Sequence, residues 1–153
     1  MREILFRGKR ADNGEWVEGL PIRTYDTEIG KNSVDYANPV PVVLMASGRI
    51  VLECGYDEVP FFNTDKYPIV NPDTISQFTG LKDRNGTKIF AGDIVKTKYG
   101  RLCEVRWFSS PCSQCWDLIP IEATQKAPDS YDVWASKNLE VVGNVHDGGA
   151  TAE

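Results

Sequence analysis

Asn-Gly occurs twice in this chain, at Asn13-Gly14 and Asn85-Gly86, each time between short runs in which apolar and polar residues alternate. Both residues tolerate the positive φ of a type I′ turn, so each site predicts a β-hairpin, and a chain that must double back this tightly has little room for long helices. The surrounding phrases correspond as well. "FRGKRADNGEWVE" and "FTGLKDRNGTKIF" set Phe6 against Phe78, Gly8 against Gly80 and Val17 against Ile89. Beyond the turn the match slips by one residue, Gly19 answering Gly92, which fits a bulge or an altered bend.

The rest of the chain is punctuated in the same way. "VPVVLMASGRIVLE", residues 40–53, has two aliphatic runs around Ser47-Gly48 and predicts a third hairpin. Pro60 and Pro68 interrupt any long strand near Phe61 and Phe62, which read as packing anchors on a loop. "NPDTISQF", residues 71–78, carries helix-start signals: Asn71 to cap, Pro72 at the first position, Asp73 for the dipole, with Gly80 as the stop. "GDIVKTKYG", "RLCEVRWF", "CWDLIPI" and "NLEVVGNV" predict four further strands, wet on one side, with Gly100 turning between the first two. Residues 130–138 read as a second short helix, and the stretch from Gly148 as a frayed tail.

These signals give a mainly β fold: a small, strongly bent barrel or pseudo-barrel of antiparallel strands with one or two short helices. The division expected is residues 1–70 for the first hairpins and an irregular insertion, 71–147 for the pseudo-barrel, and 148–153 for the tail. At 153 residues the chain can bury a real core without staples. No apolar run approaches the roughly 20 residues of a spanning helix, and the opening "MREILFRGKR" lacks a leader pattern. A cytoplasmic protein with reduced thiols at Cys54, Cys103, Cys112 and Cys115 is expected.

Net charge is −5, but unevenly spread. Residues 1–10 carry four basic groups against one acidic, and residues 80–106 seven against three, whereas the segments between and after them are acidic. Both basic segments coincide with the repeated phrase. Lys82, Arg84 and Lys88 flank the second Asn-Gly turn, and Lys96, Lys98, Arg101 and Arg106 fall on outward positions of the next two strands, with Trp107 and Phe108 adjacent. Small barrels bind single strands with such a mixture of cations and rings. The competing reading is a solvated sheet face with Trp107 turned inward, and it is favoured because the acidic remainder would repel a polyanion.

"MREILFRGK", "NGEWVEG", "VNPDTISQFTGLKDRNGTKIFAGDIVK" and "LEVVGNVHD", taken in order, resemble the YopX protein family, found largely in phages and prophages of bacteria. The resemblance implies a cytosolic phage-derived protein with a β-rich pseudo-barrel in its second half and no settled activity. It brings no catalytic residues. The matching positions Gly80, Gly86, Gly92, Asp93 and Gly143 read as backbone needs: turns, bends and a carboxylate that holds a loop. Asn13, Gly14 and Asn85 belong to the same structural group.

Reactive chemistry finds little support. Cys112-Ser-Gln-Cys115 has zinc-knuckle or redox spacing, but a four-ligand site would need Cys54, Cys103 and His146 from distant strands, and no helix N-terminus is visible to stabilise a thiolate. His146, the single histidine, has no local nucleophile signature. P-loop, dinucleotide and G-x-S-x-G motifs are missing. The expectation is a non-enzyme without cofactor, metal site, small-molecule substrate or membrane span. It would bind protein partners or copies of itself, with aromatics such as Trp16, Trp116 and Trp134 as candidate anchors. A nucleic-acid-binding barrel using residues 82–106 is the alternative.

Overall fold

A computed structural model describes residues 3–25, 39–45, 53–54, 60–61, 68–122 and 138–148. The chain divides into two compact units, Ile4–Ile75 and Met1–Glu3 with Ser76–Glu153.

In the first unit, β1 (Phe6–Lys9) pairs antiparallel with β2 (Trp16–Tyr25), Phe6 opposite Gly19 and Lys9 opposite Trp16. Gly14 has φ +72°, yet the loop is longer than a two-residue type I′ turn: Arg10 N–H donates to Glu15 O at 2.9 Å and Gly14 N–H to Arg10 O at 3.0 Å. The reason is local. Asn13 Oδ1 accepts the Glu15 N–H and Asn13 Nδ2 donates to Glu15 Oε2, so the side chain organises a wider turn. β3 (Pro39–Met45) extends the sheet along β2, with a register shift between Arg23 and Thr24. It is the first run of the predicted third hairpin; the turn at Ser47-Gly48 lies outside the described residues. β4 (Glu53–Cys54) pairs with β5 (Pro60–Phe61), so Phe61 stands on a short strand and not on a loop.

The helix expected over residues 71–78 does not form. Asn71 does cap, accepting the Asp73 N–H, and Pro72 does open the turn, but only a single 3-10 turn forms, Pro72–Thr74. Ile75 is already extended, and Ser76 and Phe78 are buried on either side of exposed Gln77. The two-residue burial rhythm overrides the cap. The turn instead closes on β1: Asn71 N–H donates to Lys9 O, Lys9 N–H to Thr74 Oγ1.

The second unit holds β6 (Ser76–Lys82) and β7 (Lys88–Phe90), then β8 (Asp93–Thr97), β9 (Leu102–Ser109), β10 (Gln114–Pro120) and β11 (Leu139–Asn144). β6 and β7 form a hairpin in which Phe78 faces Phe90 and Lys82 faces Lys88; the irregularity lies between Phe78 and Lys82, ahead of the turn, where Gly80 has φ +88°. The other four strands make an antiparallel sheet in the order β10-β9-β8-β11, as the alternating runs predict. One face of that sheet, with Ile89 of β7, forms the core: Val95, Cys103, Val105, Leu118 and Leu139, all buried, with Trp116 and Val141 packed against them. Each such aliphatic side chain contributes about 1.5–3 kcal/mol. The fold is therefore mainly β, and among the described residues no strand ladder closes it into a barrel. The second predicted helix and Trp134 lie outside the described residues, and no described helix is long and apolar enough to cross a membrane.

Candidate interaction surface

Buried carboxylates hold the turns of the second unit. Asp83 accepts from the N–H groups of Asn85 (2.8 Å), Thr87 (2.9 Å) and Val141 (3.0 Å). Burial pushes this carboxyl up, but the three N–H donors and the neighbouring Arg84 charge outweigh it and hold it below the usual aspartate range. The loop it organises spans three residues between Asp83 and Thr87, again wider than a type I′ turn. Asp93, fully buried, accepts from Phe90 N–H at 2.8 Å and from Asn144 Nδ2 at 3.1 Å, and Asn144 Oδ1 in turn accepts the His146 N–H. Gly92, at φ +76°, has Val145 Cγ2 only 3.1 Å from where a Cβ would stand, so both its backbone and its surroundings favour glycine.

The basic residues singled out by the sequence do not form one cationic face. Arg84 pairs with Glu140, and Lys96 stands opposite Glu140 across the β8–β11 ladder. Arg106 pairs with Glu104 at 2.7 Å and faces Asp117 across the β9–β10 ladder. Lys98 and Arg101 sit in the Gly100 turn, not on strands, because Thr97 N–H donates to Arg101 O and closes the hairpin one residue earlier than the alternation suggests. Lys98 Nζ lies 5.0 Å from the Tyr99 ring. Lys82 and Lys88, facing each other on β6 and β7, are the two cations brought into apposition.

Apolar surface collects elsewhere, at the far end of the β9–β10 ribbon. Trp107 is 49% and Phe108 46% exposed, on opposite faces of β9. Trp107 is on the core face but beyond the core, meeting Trp116 edge-on with centroids 5.0 Å apart. Trp116 Nε1 is buried with no acceptor among the described residues. Cys115 faces Phe108 on the outer side, and Cys112 occupies the connecting loop, closed by Ser110 N–H donating to Ser113 O at 2.7 Å; both thiols are exposed. Cys103 is in the core, where burial pushes its thiol up. Among the described residues no group of three or more His, Cys, Asp or Glu could hold a metal ion.

The two edges of the sheet differ. On β11, Val141 N–H goes to the Asp83 carboxylate and Leu139 O accepts the Arg84 N–H at 3.0 Å, so the β6–β7 turn occupies that edge. Along β10 no described strand pairs with the outer side. Sequence reasoning missed this asymmetry and the part played by Asp83; its only signal was an aspartate two residues ahead of Asn-Gly.

No curated protein matches the chain. The family model described as YopX protein matches residues 5–149, which is nearly the whole length, and the chain belongs to the YopX protein family.

Proposed function

We propose that this protein is a non-catalytic interaction module that binds protein through the end of the β9–β10 ribbon. The reading extends to the setting the family resemblance implies, a phage- or prophage-encoded protein in the bacterial cytoplasm. Residues 71–147 would serve as its pseudo-barrel scaffold, the β6–β7 ribbon curling over the four-stranded sheet. One observation carries it: Trp107 and Phe108 stand half-exposed, one on each face of β9, next to a strand with no described neighbour on its outer side. Aromatic residues are the usual anchors of protein interfaces, and an unpaired strand edge supplies backbone hydrogen bonds to a partner.

The test is differential capture. Tagged full-length protein is expressed in its bacterial host with an untagged copy, and captured proteins are compared for wild type, Trp107→Ala, Phe108→Ser and, on the occupied edge, Val142→Ser. A protein, including the untagged copy, retained by wild type and Val142→Ser but lost from the two aromatic variants supports the reading. Capture indifferent to Trp107 and Phe108 contradicts it. The nucleic-acid reading rests on Lys82 facing Lys88, and is weakened by the glutamates that engage Arg84 and Arg106. It requires DNA affinity that falls steeply with salt in a gel-shift titration.

A further inference from the structure

The β9–β10 ladder determines which backbone groups of β10 point outward. Ile121 N–H donates to Leu102 O at 3.1 Å at one end, and Ser110 N–H to Ser113 O at the other. Bonded and non-bonded pairs alternate in an antiparallel ladder, so Cys115, Asp117 and Ile119 spend their backbone groups on β9. Gln114, Trp116, Leu118 and Pro120 turn theirs to the outer side. Two of these are disabled as donors. Leu118 N–H is taken by Asp117 Oδ1 at 2.8 Å, and Pro120 has no N–H. The outward donors still available are Gln114 and Trp116, and no described residue accepts from either.

We infer that a second copy of this chain occupies this edge, β10 against β10, antiparallel, with the two-fold axis at Cys115. The inference rests on the protein-binding reading above and names its partner. In this register Gln114 of each copy lies opposite Trp116 of the other, and the available donors of both chains are satisfied by exchange of N–H···O bonds. Two neighbouring registers match less well on the same residues. Centring on Trp116 places Gln114 against Leu118, whose N–H is already engaged, so that the Gln114 carbonyl receives no bond in return. Centring on Asp117 sets carboxylate against carboxylate and Gln114 against Pro120. With the axis at Cys115, Asp117 meets Ser113 of the second copy instead, which avoids the repulsion of like charges directly opposite each other. Phe108 and Trp107, one on each face of the adjacent strand, then flank the seam and lose water on both sides. A self-complementary patch closing on a two-fold axis is the commonest form of soluble oligomer.

The register has a chemical signature. Cys115 faces Cys115 of the second copy as a non-hydrogen-bonded pair, with Cα atoms about 4.5 Å apart, at the near end of the roughly 4.4–6.8 Å range that a disulfide spans. Treating the full chain with a diazene oxidant would join the two Sγ atoms. Each thiol gives up one proton and one electron, and the N=N bond of the oxidant takes up both pairs to become a hydrazine. The bond reports proximity and is not needed for assembly.

The experiment combines sedimentation equilibrium with this cross-link on wild type, Cys54→Ser, Cys112→Ser and Cys115→Ser. A reversible dimer is expected, with a covalent dimer formed by all but Cys115→Ser. Gln114→Pro removes an outward donor while sparing every β9–β10 hydrogen bond, and should yield a folded monomer by far-UV circular dichroism. Ser113 provides a check independent of that proline: Ser113→Lys, placed opposite Asp117, should tighten the dimer several-fold, and Ser113→Asp should weaken it several-fold. A chain monomeric up to millimolar concentration overturns the inference, as does a dimer whose cross-link survives Cys115→Ser or whose affinity ignores both Ser113 substitutions. A monomeric result leaves the protein-binding reading to the capture experiment, where a partner other than the chain itself would still sustain it.

Discussion

The two edges of one four-stranded sheet meet water on different terms. β11 has its outward groups taken by its own chain: the Asp83 carboxylate receives the Val141 N–H, Leu139 O receives the Arg84 N–H, and Glu140 pairs with Arg84. β10 has Asp117 and Pro120 disabling its C-terminal half, while Gln114 and Trp116 keep outward donors beside exposed aromatics. An unguarded edge is a liability that folded proteins normally blunt with charge, proline or cover. A sheet that guards one edge thoroughly and half of the other is selective about where it accepts a strand. Damage at β11 should therefore cost stability, and damage at β10 should cost association.

The largest effect is expected from Asp83→Ala, which strands three N–H donors and frees the β11 edge. A loss of about 3 kcal/mol in urea unfolding is expected, and a loss under 1 kcal/mol would break the contrast between the edges. The effect should depend on pH in a defined direction. Because the folded carboxyl titrates below its ordinary value of 3.8, its stabilising contribution is fully present above that value and disappears as pH falls through the lower folded one. The stability gap between wild type and Asp83→Asn should accordingly shrink when unfolding is repeated at successively lower pH below 3.8. A gap that stays constant would mean that hydrogen bonding by the neutral group suffices.

Trp107→Ala comes next. It loses the edge-on contact with Trp116 at a half-exposed site, and about 1 kcal/mol of stability is expected, with the larger consequence in weakened self-association. Smallest are the surface changes. Arg84→Ala and Phe108→Ser should each shift the unfolding free energy by no more than about 0.5 kcal/mol, but Phe108→Ser alone should weaken the dimer. Thiol accessibility sharpens the same contrast. Cys112 and Cys115 should alkylate in the native protein, while Cys103, buried and with its thiol pushed up, should react only on unfolding.

Part of the second unit was legible because stretches of β8 and β9 follow a two-residue rhythm. Val95 and Thr97 alternate with Lys96, Cys103 and Val105 with Glu104 and Arg106, and burial follows that alternation. The reading failed where two local signals competed. Asn71-Pro72-Asp73 is a sound helix start, yet one 3-10 turn satisfies it, and the burial of Ser76 and Phe78 then draws the chain into a strand. Asn-Gly marked both hairpins correctly but overstated their tightness, since Asn13 and Asp83 use their side chains to span wider loops. The basic segment looked like a face because linear counting cannot see Glu140, fifty-six positions from Arg84, arrive beside it. Edge occupancy was illegible for the same reason. It depends on which strand lands where, and no local pattern in β10 or β11 records it.

Amide hydrogen exchange of the full chain, followed residue by residue across protein concentration, reads both sheet edges in one experiment. Val141 should be protected at every concentration, whereas Gln114 and Trp116 should exchange rapidly in dilute protein and slow together as the dimer forms. Protection of Trp116 that is already complete at the lowest concentration, or its absence at the highest, would rule out a dimer formed through this edge.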